Sequence, residues 1–210
     1  MIDIEYLGGN AISLSTKDKK LYVDPNVKPL GLKNPKKINI QLATEERFLA
    51  PAGEDAISLE GPGEYEVEDF AIKGKAVTRH IDTEKDPEAT TVYRVEAGGF
   101  NIGVIGNVSP QMSDEVYESI GVIDILIVPV GGGGYTLDAA DATKVVRRTD
   151  PKIVIPVHYK DSSINYEVPQ DSVDEFVKDL GVEVETADKL KLKSASNLPP
   201  VLTVYQLKRV

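Results

Sequence analysis

The sequence predicts an α/β (α+β) fold, a sandwich of two sheets with helices outside, and three observations carry that expectation. The first half of the 210-residue chain is a series of short β-prone runs broken by glycine-rich turns. The second half alternates apolar strand segments with helical ones, the order that lays helices against a sheet. No repeat, low-complexity tract or linker separates the halves, so residues 1–210 are expected to fold as a single domain around one substantial core.

The elements follow from local pattern. Residues 2–6, 11–15 and 20–23 are β-prone, separated by Gly8-Gly9-Asn10 and by the polar turn Thr16-Lys17-Asp18. Further strands are expected at 38–42, 55–59, 70–73, 76–79, 91–96 and 101–105, with turns at Gly61-Pro62-Gly63 and Gly98-Gly99. Glu64-Tyr65-Glu66 reads as an edge strand with alternating exposed acids. A first helix is expected over 113–120, with Ser109 or Ser113 as its cap and Gly121 as its stop. Residues 124–128 and 153–157 are continuous apolar runs, as strands buried on both faces require. Between them, 138–148 is a second helix whose apolar stripe includes Leu137, Ala140, Val145 and Val146. A third helix over 170–180 closes at Gly181, and a last strand runs over 201–207.

Composition narrows the function classes. The formal charge is −10 and is spread along the chain, so a polyphosphate backbone would be repelled and nucleic acid is not expected as a partner. The cluster Lys33, Lys36, Lys37 is too short to reverse that and reads as a solvated loop. No apolar run approaches the roughly 18–20 residues of a membrane span, and the opening Met1-Ile2-Asp3-Ile4-Glu5 lacks the basic and apolar regions of a signal peptide. A cytoplasmic protein is therefore expected. Cysteine is absent, which removes disulfides, thiolate nucleophiles and Cys-ligated metals together.

The chain has two histidines, His80 and His158. Each follows a predicted strand, and ligands in open α/β architectures collect at the carboxyl ends of strands. Asn107 stands just beyond the strand at 101–105, and Asp138 just beyond the run Gly131-Gly132-Gly133-Gly134. Those glycines offer backbone N–H groups to an anion or simply make a tight strand-to-helix turn, and the turn is the plainer reading. Asp138 is either a first-turn residue stabilised by the helix dipole or a pocket residue.

Several segments then become specific together. Tyr6-Leu7-Gly8-Gly9-Asn10-Ala11, Tyr22-Val23-Asp24-Pro25 and Gly61-Pro62-Gly63-Glu64-Tyr65-Glu66-Val67 resemble the metallo-β-lactamase superfamily. So do Ile105-Gly106-Asn107, Ile127-Val128-Pro129-Val130-Gly131-Gly132 with Tyr135-Thr136-Leu137-Asp138, Ile153-Val154-Ile155-Pro156-Val157-His158-Tyr159, and the tail around Asp188-Lys189-Leu190. The similarity is to the lactonase-like branch of Zn-dependent hydrolases and runs in order along nearly the whole chain. It implies a four-layer αββα sandwich.

The same resemblance implies a His-x-His-x-Asp-His motif after the strand at 38–42, a further His, a bridging Asp and a final His. Here Ala43 and Glu45 fill the first two His positions, Arg47 the Asp position and Phe48 the last, while Asn107 replaces the bridging Asp. Only His80 and His158 match in type, and in the family they serve different metals. Catalytic zinc needs three protein ligands, with water completing the shell, and a permanently cationic Arg47 opposes a dication. Without the metal there is no bound water made acidic enough to serve as hydroxide.

Three readings stay open. The first, adopted here, is a non-catalytic relative with a vestigial pocket of Glu45, His80, Asn107, Asp138 and His158 that binds a small anionic molecule. The second is a hydrolase of lactonase or phosphoester type, in which Glu45, Glu46, His80, Asp82 and His158 regroup around one weak divalent ion such as Mg²⁺ or Mn²⁺, or His158 and Asp138 run metal-free acid–base chemistry. The third is a structural scaffold. No cofactor is expected, with His80 and His158 the weak metal candidates, and oligomers are implied by the resemblance alone.

Overall fold

The computed structural model describes residues 1–80 and 89–210. Two sheets face each other. The smaller takes β1 (Ile2–Gly8), β2 (Ala11–Ser15), β3 (Lys20–Val23), β4 (Ile40–Ala43), β5 (Ile57–Glu60) and β13 (Leu190–Leu192), in the order β13-β1-β2-β3-β4-β5. The larger takes β6 (Gly63–Val67), β7 (Phe70–Thr78), β8 (Ala89–Ala97), β9 (Phe100–Val104), β10 (Ile125–Pro129), β11 (Ile153–Val157), β12 (Glu183–Ala187) and β14 (Thr203–Leu207), in the order β12-β14-β11-β10-β9-β8-β7-β6. Both are mixed: β3 to β5 and β9 to β11 run parallel, while the β1–β2 and β6–β9 pairings are antiparallel.

Periodicity explains which faces are covered. In β1 the side chains of Ile2, Ile4 and Tyr6 turn inward and are buried, while Asp3 and Glu5 alternate to the outer face. There Glu5 pairs with Lys20 and Asp3 with Lys189, so a cross-strand charge ladder meets the solvent. Strands β10 and β11 are buried along their whole length. They are apolar throughout because the small sheet covers one face and helices the other. Those helices are α1 (Asp114–Ile120), α2 (Ala139–Thr149) and α3 (Val173–Leu180). α1 packs on β7 and β8, and α2 packs on β10 and α3. Ser113, Asp138 and Ser172 occupy their N-cap positions. Among the described residues no helix is long and apolar enough to cross a membrane, which says nothing of strands.

The differences from expectation are local. The strands expected at 70–73 and 76–79 are one strand, β7, running through Gly74, where a Cβ would stand 2.7 Å from the Tyr93 ring. The glycine makes room for a neighbouring aromatic inside a strand and does not break it. The third helix starts at Val173 and not at 170, because Ser172 caps it and Gln170 turns away into the site. β12 and β13 were not foreseen: β12 is a largely exposed edge strand and β13 has only three residues, so neither carries a strong apolar pattern.

Candidate functional site

The exits of β3, β4, β10 and β11, the β1–β2 turn and the segment after β9 meet around a pocket of about 170 Å³. Its polar wall includes Asn10, Asp24, Arg47, Asn107, His158 and Gln170, and its apolar wall Val27, Leu30, Phe48 and Val168 with the rings of Tyr135 and Tyr166.

Two glycines make the approach of these segments feasible. A Cβ on Gly106 would stand 2.8 Å from Cβ and Oγ1 of Thr44, so glycine lets the chain leaving β9 pass the end of β4. A Cβ on Gly131 would stand 2.2 Å from the His158 carbonyl oxygen and 2.5 Å from Gln170 Oε1. Of the non-glycine residues with left-handed backbone, Glu68 lies in the β6–β7 turn and Asp150 caps α2. The other two, Asp24 and His158, both at φ +49°, line the pocket. Strain of this kind persists only where surrounding contacts hold it.

Those contacts are visible. Asp24 follows β3 and is buried; its Oδ1 accepts the Thr44 N–H at 2.7 Å and its Oδ2 the Thr44 hydroxyl at 2.8 Å. Burial pushes its carboxyl up to about 7 from an ordinary 3.8; the Glu45 charge adds to the rise, while the Thr44 donors and Arg47 oppose it. The Thr44 carbonyl in turn accepts from the Thr91 N–H and the Thr90 hydroxyl, tying the end of β4 to β8 in the opposite sheet.

Asn107 and Asn10 form a buried amide pair, Asn10 Nδ2 donating to Asn107 Oδ1 at 2.8 Å. Asn10 Oδ1 finds no partner among the described residues. At His158 the backbone N–H donates to the Gly9 carbonyl at 2.9 Å and Nδ1 lies 3.0 Å from Gln170 Oε1. The Tyr166 ring tilts against the imidazole with centroids 4.8 Å apart. Burial holds the His158 ring down at about 4, with the Arg47 charge adding and the Gln170 bond opposing, so it is neutral at pH 7.

Arg47 reaches the pocket wall from an exposed turn. Its Nε lies 2.8 Å from Glu45 Oε2 and its guanidinium 4.7 Å over the Phe48 ring. Glu45, only 6% exposed, also meets Arg79 Nη1 at 3.1 Å. Two guanidinium groups thus share one carboxylate beside the pocket.

The five residues expected at the site part company here. Asn107 and His158 line the pocket. Glu45 is turned to the two arginines behind it. His80 is joined through its backbone N–H to the Asn107 carbonyl and is not part of the pocket wall. Asp138 is exposed and caps α2, its Oδ1 accepting the Asp141 N–H at 2.8 Å. The glycine run makes the turn into that helix: the Gly132 N–H donates to Leu137 and the Gly131 carbonyl accepts from Asp171. Glu46 is exposed in a short 3₁₀ turn, and Asp82 lies outside the described residues. Among the described residues no three His, Asp or Glu side chains gather as a group that could hold a metal ion.

The sequence reading did not assign Asn10, Asp24, Tyr166 and Gln170 to the pocket. Asn10 and Asp24 stand beyond strand ends, as His158 does, so the same positional rule would have found them. Tyr166 and Gln170 come from an irregular segment with no such signal.

Residues 3–158 match the beta-lactamase superfamily domain family. A metal-dependent hydrolase from Carboxydothermus hydrogenoformans is 33% identical over 67 residues, which are 32% of this chain and 29% of that protein's length. Among solved structures, a protein described as a Zn-dependent hydrolase of the metallo-beta-lactamase superfamily, from Thermotoga maritima, superposes with TM-score 0.77 at 24% identity over 99% of both chains. One described as a metal-dependent hydrolase, from Parabacteroides distasonis, superposes with TM-score 0.69 at 17% identity over 99% of this chain and 94% of its own. The two mixed sheets and their helices are the metallo-beta-lactamase sandwich.

Proposed function

The chain belongs to the beta-lactamase superfamily domain family, and on that premise we propose that it has become a metal-independent binding protein for a small anion. The observation that carries this reading is Arg47 on the wall of a small, largely apolar pocket, beside a neutral His158 and a buried amide pair. Arg47 puts a cation on that wall in a chain of formal charge −10, alongside the buried Asp24 carboxyl, held up at about 7, and the exposed Glu167. A guanidinium in a partly desolvated wall is a strong partner for a carboxylate or phosphate.

The metal-free half of the proposal is supported by donor chemistry. A two-zinc centre does not fit the residues present. Glu45 is held by two arginines, both Asp24 oxygens accept from Thr44, and Asn10 Nδ2 donates to Asn107 Oδ1. That leaves His158 and the exposed Glu167, where catalytic zinc needs three protein ligands, with a guanidinium on the same wall. We derive no hydrolytic step from such a set. The proposal also places the protein in the lactonase-like branch, as a single cytoplasmic domain over residues 1–210. The names of its relatives keep a metal-dependent hydrolase as the competing reading.

Two measurements test it. Elemental analysis of protein purified without chelator is expected to find no stoichiometric divalent ion; a full equivalent that His158→Asn removes would sink the proposal. Thermal-shift titration with acetate and inorganic phosphate is expected to stabilise the protein, by about 2.7 kcal/mol at 100 times the Kd. Arg47→Gln is expected to weaken that binding about tenfold or more, as loss of a charge-assisted contact does. Equal affinity in the variant would remove Arg47 from the site and the proposal with it.

A further inference from the structure

We infer that the pocket's ligand is a hydroxy acid, a small carboxylate whose own hydroxyl donates a hydrogen bond to His158; this rests on the anion-binding reading and sharpens it. Gln170 Nε2 lies 3.1 Å from the Val168 carbonyl oxygen and 3.4 Å from that of Pro169, so the nitrogen side of the amide is fixed there. The oxygen side therefore faces His158 Nδ1 at 3.0 Å. An amide oxygen only accepts, so the Nδ1 position carries the proton. A neutral imidazole has one N–H, and Nε2 is left as a lone pair on the pocket wall.

The pocket wall thus carries the Arg47 cation and the His158 acceptor, together with the acids Asp24, whose two oxygens already accept from Thr44, and Glu167. An anion without donors would leave the imidazole lone pair desolvated and unmet. A hydroxyl meets that acceptor while the carboxylate meets Arg47. Val27, Leu30 and Phe48 cover a short carbon skeleton, and about 170 Å³ is well below the roughly 300–1,000 Å³ of sites for drug-sized ligands.

Calorimetric titration of the full chain with glycerate and with propionate tests the inference, since the two share a three-carbon carboxylate and differ in hydroxyls. Glycerate is expected to bind about tenfold or more tightly than propionate, the return from a hydrogen bond that is otherwise unmade. The ratio is expected to fall toward one in His158→Asn, which tolerates the left-handed backbone but withdraws the acceptor. Equal binding of the two probes overturns the hydroxy-acid inference and leaves the anion reading standing. Binding of neither at millimolar concentration overturns both. Nitrogen-15 NMR of the imidazole in the free protein gives a readout that needs no ligand: a proton on Nδ1 and none on Nε2 is expected, and the reverse tautomer overturns the inference.

Discussion

Replacing Asp24 by asparagine isolates one buried charge and gives the sharpest test of the electrostatics. The folded chain holds the Asp24 carboxyl at about 7 against an ordinary 3.8. Between those values the folded state keeps a proton that the unfolded state has released, so stability falls as pH rises through the window and the penalty is complete above it. At about 1.4 kcal/mol per pH unit the full effect is on the order of 4 kcal/mol. Between pH 5 and pH 8 roughly 3 kcal/mol of it is expressed. Asparagine carries no charge at either pH, and its amide meets the Thr44 N–H and hydroxyl with an oxygen and a nitrogen in place of two oxygens. Urea denaturation of both proteins at pH 5 and pH 8 reads the difference. Asp24→Asn is expected to gain on the wild type by about 3 kcal/mol on going to pH 8, or about 6–12 °C in Tm for a domain of this size. The comparison needs the variant because His158 acts with opposite sign. Its ring stays neutral in the folded state down to about 4 while the unfolded ring charges near 6.5, so it costs stability as pH falls. Parallel pH profiles for the two proteins would refute the reasoning.

Other substitutions probe the packing around the pocket. Gly131→Ala is expected to destabilise by about 2–3 kcal/mol, since its Cβ meets backbone at His158; a Tm within a degree of wild type would contradict the close approach. Glu45→Gln removes the carboxylate that both arginines contact. It is expected to cost about 3 kcal/mol in denaturation while raising acetate affinity by freeing the Arg47 guanidinium, and a lowered affinity in titration would argue against Arg47 as the anion's partner. Tyr93→Phe deletes a hydroxyl that donates to the carbonyls of Ala43 and Gly61, 2.9 and 3.1 Å away. A loss of about 1–2 kcal/mol in chemical denaturation is expected, and a neutral outcome would mean that this link between the sheets carries no stability.

The strands that place the site were legible in the chain because their chemistry is one-dimensional. Residues 153–157 are apolar at every position, and Ile153–Val157 is buried at every position, so His158 follows directly from its end. Gly74 misled because a strand glycine that accommodates the Tyr93 ring looks, in sequence, like any other break. The site was less legible for a different reason. Its walls are assembled from contacts between distant segments: Asn10 with Asn107, Asp24 with Thr44, and His158 with Gln170. Pairings of that kind have no spacing signature. Asp138 shows the converse, a residue in a suggestive place whose carboxylate is used in capping α2.

Arg47 is the residue on which sequence and structure say different things about the same fact. In the sequence resemblance it is a deficit, a cation where that family's motif would carry an aspartate. In the fold it is one half of a clamp on Glu45 and part of the wall of the pocket. Left-handed backbone at Asp24 and His158 costs of order 1–3 kcal/mol at each. At Asp24 the two Thr44 bonds offset it, and at His158 the bonds to Gly9 and Gln170 do so. These are protein–protein contacts that need no ion to complete them. A cavity held by its own hydrogen bonds, with a guanidinium and an imidazole lone pair on its wall, suits, on the reading proposed above, a ligand that brings both a negative charge and a donor.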